Sequence, residues 1–166
     1  SRCLKDDPGT MLFFKTECET LPEVMSANVI GELRGSLYPD QIITVGGHLD
    51  AWETGEGAHD DGGGCIQSIE VLRLFQTLGI RPAHTIRAVM FMDEEVAQRG
   101  GQVYAAEASR KGEQHIAALE SDRGVLRPMA MGISVDAEKL RSLASWRELY
   151  RPYQIELVQG GGGVDI

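Results

Sequence analysis

The sequence predicts a three-layer α/β/α sandwich built on a mostly parallel mixed sheet. Two observations carry this. Short apolar, β-branched runs alternate with segments whose apolar residues recur at helical spacing, as in successive βαβ units. The strand candidates at 41–45, 85–92 and 115–119 also lead into His48, Glu94-Glu95 and Asp122, so chemistry-bearing side chains gather at one sheet edge.

Taken in order, residues 11–20 and 28–33 read as strands, and Gly35 and Pro39-Asp40 as turns. The β-branched run 41–45 is a buried strand that delivers His48 to its end. After a Gly-rich loop, Ile66, Ile69, Val71, Leu72 and Phe75 repeat at helical spacing until Gly79. Pro82 interrupts, and 85–92 forms the next buried strand. Residues 102–110 predict a helix, 115–119 a strand, 137–150 a second helix before Pro152, and 153–158 a last strand. No internal repeat or domain linker is visible, so residues 1–166 read as one catalytic domain.

At 166 residues the chain can bury a real core, and 42% hydrophobic with 25% charged residues is ordinary for a globular protein. A net charge of −9 argues against nucleic acid or an anionic membrane surface as partner. No run reaches the roughly 18 apolar residues of a membrane span. Cys3, Cys18 and Cys65 lack C-x-x-C spacing, which disfavours a thiolate zinc site. A Cys3–Cys18 disulfide is allowed; three free thiols, with Cys65 buried at a helix start, is the simpler reading.

The most informative segment runs from Gly46-Gly47-His48-Leu49-Asp50 to Gly57-Ala58-His59-Asp60-Asp61-Gly62-Gly63-Gly64. Divalent metals need imidazole and carboxylate ligands at fixed geometry. A hydrolytic centre also needs a free carboxylate to take a proton from the attacking water. His48, Asp60, Glu95 and Asp122 can serve as ligands, leaving Glu94 as base. Asp50 can accept the second ring N–H of His48 and fix its tautomer. Each part has a plainer reading: Asp60-Asp61-Gly62 as a helix cap, Glu94-Glu95 as a solvated acidic pair, Asp122 as a loop residue. His59, His84 and His115 are not expected to bind metal, although His59 could contact substrate. The glycines lack the Lys-Ser/Thr of a phosphate-binding loop, and no G-x-S-x-G elbow is present.

These residues resemble the co-catalytic zinc exopeptidases of metallopeptidase family 28, most closely the plasma glutamate carboxypeptidase (carboxypeptidase Q) branch. The likeness covers 26–30, 46–65, 72–74, 85–87, Glu94-Glu95, Glu120-Ser121-Asp122 and 160–166. It implies an aminopeptidase or dipeptidase holding two Zn2+ ions, with peptide or dipeptide substrates, a secreted, periplasmic or lysosomal setting, and room for a homodimer. By the resemblance Asp60 bridges the metals and is followed by a cis peptide, Asp122 joins His48 at one metal, Glu95 binds the other, and Glu94 is the base. Two departures stand out. Asp93 occupies a position where Ala is common, and the family's final histidine ligand would follow Ile166. A C-terminally truncated site of this kind is expected to hold one metal tightly at most and to be impaired. Manganese or cobalt would also suit the ligand types. Rival readings are a non-catalytic relative and a glutaminyl-cyclase-like zinc acyltransferase.

Overall fold

A computed structural model describes residues 9, 11, 13–122, 124–161 and 165–166. Four strands form the main sheet: β1 (Val29–Leu33), β2 (Tyr38–His48), β3 (His84–Phe91) and β4 (Gln114–Glu120), in the order β1-β3-β2-β4. β2 runs parallel to both β3 and β4, and β1 is antiparallel to β3. Helix α1 (Gly62–Thr77) connects β2 to β3, and α2 (Arg99–Lys111) connects β3 to β4.

Side-chain alternation along β3 divides the layers. Ala88 and Met90 pack with Cys65 of α1, alongside Val45 and Leu72. From the opposite face, the Phe91 ring meets the edge of Tyr104 in α2, with centroids 5.6 Å apart. Arg87 lies on that same face, donating to the Tyr104 hydroxyl at 3.2 Å and to Glu113 at 2.7 Å. The two helices therefore cover opposite faces, and the expected sandwich is present. β3 supplies Ala88, Val89, Met90 and Phe91, all buried, because it is central and covered on both sides.

Helix α1 stops where Gly79 adopts φ 64°, allowing the Ile80 N–H to reach the Phe75 carbonyl at 2.9 Å. Pro39, expected in a turn, instead lies inside β2. It falls where the register with β3 slips between Tyr38 and Ile42, so its missing N–H costs no ladder bond.

Three expectations need correction. The described residues within 11–20 form no strand; Met11, Phe13 and Phe14 are 93%, 92% and 86% exposed. An apolar run becomes a strand only when a neighbour satisfies its backbone groups, and among the described residues no strand pairs with this one. The helix expected over 137–150 is broken into α3 (Ala137–Leu143), a 3₁₀ turn and α4 (Arg147–Tyr150). None of these pieces buries a residue, so no packed face sustains a continuous helix. The final strand, β6 (Glu156–Gln159), starts later than expected because a 3₁₀ turn takes Arg151–Tyr153. It pairs in parallel with an unforeseen strand, β5 (Ala130–Ile133), in a separate two-stranded sheet. Among the described residues no helix is long and apolar enough to cross a membrane. Cys18 is exposed and free, Cys65 is buried as expected, and Cys3 lies outside the described residues.

The central strand gives a direct test of this packing. Phe91 is fully buried, and Phe91→Ala is expected to destabilise the fold by about 3–5 kcal/mol, read from the shift in a urea unfolding midpoint.

Candidate metal centre

The parallel strands β2, β3 and β4 end side by side, and their carboxyl ends place His48, Glu94-Glu95 and Asp122 around one point. His48 is the last residue of β2 and its side chain is 0% exposed. Its Nδ1 lies 2.9 Å from the backbone carbonyl of Asp50. A carbonyl only accepts, so Nδ1 carries a hydrogen and Nε2 is the nitrogen turned to the centre, able to bind a metal once it gives up its proton. There it faces Asp60 Oδ1 at 3.2 Å and Asp122 Oδ1 at 3.0 Å.

Asp50 is near His48 but works differently from the sequence reading. Its carboxylate stands 3.6 Å from Nδ1 and accepts instead from the Glu94 N–H at 3.0 Å and the Glu95 N–H at 3.1 Å. The carbonyl, closer to the ring, has taken the tautomer-fixing role. The carboxylate clamps the loop carrying both glutamates against the end of β2. Asp93 starts that loop at φ 73°, a left-handed conformation that Asp tolerates better than most residues. Its carboxylate pairs with Arg99 Nε at 3.3 Å. The substitution noted in the sequence thus has a cationic partner in α2. Glu94 Oε1 accepts from Gln98 Nε2 at 3.3 Å, and Oε2 stands 3.9 Å from His48 Nε2. Gln98 is a positioning residue with no sequence signal of its own.

Asp60 and Asp61 divide their tasks sharply. The peptide joining them is cis, as the resemblance implies. The Asp61 carboxylate is buried; its oxygens accept from the His48 N–H at 3.0 Å and the Gly64 N–H at 2.9 Å, capping α1. The Asp60 side chain is 52% exposed and turns toward Nε2. Potential ligand atoms cluster as His48, Asp60 and Glu95, and also as His48, Asp61 and Asp122. Asp61 is already committed to two backbone donors, which favours Asp60 as the ligand. Glycines make the close approach of these loops feasible: a Cβ at Gly64 would overlap the Ser121 carbonyl, and one at Gly47 would lie 2.6 Å from Asp61 Oδ2.

The electrostatics of the cluster suit a cation. Burial works against protonation of His48, but the Asp50 carbonyl, the Asp122 carboxylate, Asp61 and Glu94 outweigh it and raise its pKa to about 9. Burial, and then the Asp60 carboxylate, push the Glu95 carboxyl above its ordinary range. Glu95 Oε1 is buried without a hydrogen-bond partner. An orphaned buried carboxylate oxygen beside an imidazole nitrogen and two further carboxylates fits a divalent cation, which would displace the imidazole proton. His84 and His115 lie at the other end of the parallel strands, where His84 stacks on Tyr38 and His115 contacts Thr44 and Glu113.

The Peptidase family M28 model matches residues 28–159, spanning every element named above. The chain belongs to peptidase family M28. Human carboxypeptidase Q is 36% identical over 154 residues, covering 92% of this chain and 32% of the relative. Carboxypeptidase Q of Xenopus laevis is 37% identical, covering 87% and 31%. This chain thus spans about a third of the length of the curated relatives it matches. A peptidase M28 precursor from Shewanella amazonensis superposes with TM-score 0.73 at 30% identity, covering 84% of this chain and 32% of that one. A zinc aminopeptidase from Bacillus subtilis shares the M28 fold at TM-score 0.65 and 21% identity, covering 83% and 36%.

The division between the two aspartates is testable. Asp61→Ala removes a helix cap and orphans the buried His48 N–H, an expected loss of about 2–4 kcal/mol in the metal-free protein. Asp60→Ala should cost under about 1 kcal/mol while weakening zinc binding more strongly. Unfolding curves and zinc titration of both variants check this.

A second acidic cluster, which sequence reasoning missed, adjoins Glu94. The segment 165–166 lies against β4, with the Ile166 N–H donating to Glu120 Oε2 at 3.1 Å. Glu120 Oε1 and both Asp165 oxygens are buried without hydrogen-bond partners. Burial and then Asp165 raise Glu120 to about 7; burial and then Glu94 raise Asp165 to about 6. Both carboxyls bind protons more tightly when folded. Their stabilisation is complete below the unfolded values near pH 4 and is lost as pH rises through about 6–7. The metal-free protein should therefore melt at lower temperature at about pH 7.5 than at about pH 4.5, and Glu120→Gln should flatten that profile.

Proposed function

We propose that the protein containing this chain is a metal-dependent exopeptidase, an aminopeptidase or dipeptidase using two zinc ions. The observation that carries this reading is the convergence of His48 Nε2, Asp60 and Asp122 beside a Glu94-Glu95 pair clamped by Asp50. Zinc is supported by the mixed imidazole and carboxylate donors and by the likeness to a zinc aminopeptidase. His48 and Asp122 would hold one ion, Glu95 the other, and Asp60 both. When bound, zinc supplies the Lewis acidity that polarises a carbonyl and lowers the pKa of water.

The residues of the chain perform the remaining steps. The Asp50 carbonyl keeps the Nδ1 hydrogen of His48 in place, so Nε2 stays available as a donor atom. Gln98 engages Glu94 Oε1, leaving Oε2 turned toward the centre. Glu94 Oε2 takes the proton from the attacking water as its oxygen bonds to the scissile carbonyl carbon. It then gives that proton to the amine nitrogen as the C–N bond breaks, regenerating the carboxylate. The Asp50 clamp sets the distance between Glu94 and His48, so base and ligand move together.

Glu94→Gln keeps the shape but cannot accept the proton. In the full-length protein, turnover of a dipeptide panel should fall by about 10²–10⁴-fold with zinc content nearly unchanged. Full activity in that variant, or zinc loss equal to that of Glu95→Gln, would overturn the assignment of base and ligand.

A further inference from the structure

His59 stands at the mouth of the centre with no role in the scheme above. It immediately precedes Asp60 and is exposed. Its ring rests on Gly124, two residues beyond Asp122, so it spans the gap between the two ligand-bearing loops. Gly124 adopts φ 102°, and a Cβ there would overlap the imidazole, lying 2.6 Å from Nε2. Only glycine leaves the ring this seat. Although it is held in place, neither ring nitrogen of His59 has a partner among the described residues, unlike His48, whose nitrogens are both engaged. A fixed imidazole with free nitrogens beside a half-exposed ligand is poised to bind something that arrives from solvent.

The chemistry of the surroundings narrows what that is. The side chains gathered at this centre, Asp50, Asp60, Asp61, Glu94, Glu95 and Asp122, are carboxylates, which accept hydrogen bonds and repel substrate oxygens. An imidazole always carries at least one N–H to donate. Resting on the exopeptidase reading above, we propose that His59 is a substrate-contacting residue that donates a ring N–H to a carbonyl or carboxylate oxygen of the bound peptide. Gly124 is its positioning partner, because a side chain there would unseat the ring.

Calorimetry on the zinc-loaded full-length protein tests this without relying on turnover. The probes are a non-cleavable phosphinic analogue of Ala-Ala and the same analogue with its C-terminus amidated. His59→Ala is expected to weaken binding of the free acid by about 10-fold, as loss of one hydrogen bond does, with zinc stoichiometry unchanged. His59→Gln, which keeps an N–H, should recover much of that loss, and Gly124→Ala should weaken binding as His59→Ala does. If His59→Ala weakens the free acid but not the amide, the contact is to the terminal carboxylate; equal weakening places it on a carbonyl. Tight binding by the wild type with no change in His59→Ala overturns the inference alone, as does a loss of zinc in that variant. Failure of the wild type to bind either probe overturns the exopeptidase reading and the inference with it.

Discussion

The buried carboxylate of Asp61 is the contact on which the centre's geometry depends. It accepts from the His48 N–H at the end of β2 and from the Gly64 N–H in the first turn of α1. One side chain therefore joins the strand that carries the imidazole to the helix that follows the Asp60 loop. The Cys65 thiol adds to this joint by donating to the His48 carbonyl at 3.1 Å. Burial, then Asp61, raises that thiol to about 11, so it remains a neutral donor rather than a thiolate ligand. Removing Asp61 would leave a buried backbone donor unpaired and uncap the helix together.

A second clamp repeats this logic on the other side. Asp50 uses both carboxylate oxygens on the backbone of Glu94 and Glu95 and its carbonyl on the His48 ring. The result is a group of acidic side chains held close together on loops fixed by backbone hydrogen bonds. Burial and the neighbouring Asp60 carboxylate account for the raised pKa of Glu95, while the Asp50 carbonyl and the nearby carboxylates, acting against burial, account for the proton retained on His48. A bound dication would relieve both, which links the fold's electrostatic cost to its proposed chemistry.

How much of this was legible in the sequence depended on packing. Strand β3 and the carboxyl half of β2 were readable because they are buried and apolar or β-branched, and β4, although exposed, because its Ile116-Ala117-Ala118-Leu119 run is apolar. Helix α1 was readable from its helical spacing, although within that set Val71, Leu72 and Phe75 are half-buried while Ile66 and Ile69 stay exposed. The run around Phe13 and Phe14 looked like a strand by composition alone, yet strand formation needs a neighbouring backbone. The segment 137–150 carried helical spacing, but with no residue buried it divides into short helical pieces. β5 escaped notice because four residues ending in Met131-Gly132-Ile133 give no periodic signal, and it exists only through pairing with β6.

By itself the sequence determined the fold class, the family and the residues that could bind metal, because these follow from composition, spacing and motif identity. The tertiary structure decided the partners. It brought Asp60, rather than the neighbouring Asp61, to the imidazole. It gave the tautomer of His48 to a carbonyl rather than to the Asp50 carboxylate. It also buried Glu120 and Asp165 together from opposite ends of a segment of more than forty residues, and seated His59 on Gly124. Each of these depends on which atoms come within about 3 Å of one another, a condition set by strand register and loop packing rather than by the order of residues along the chain.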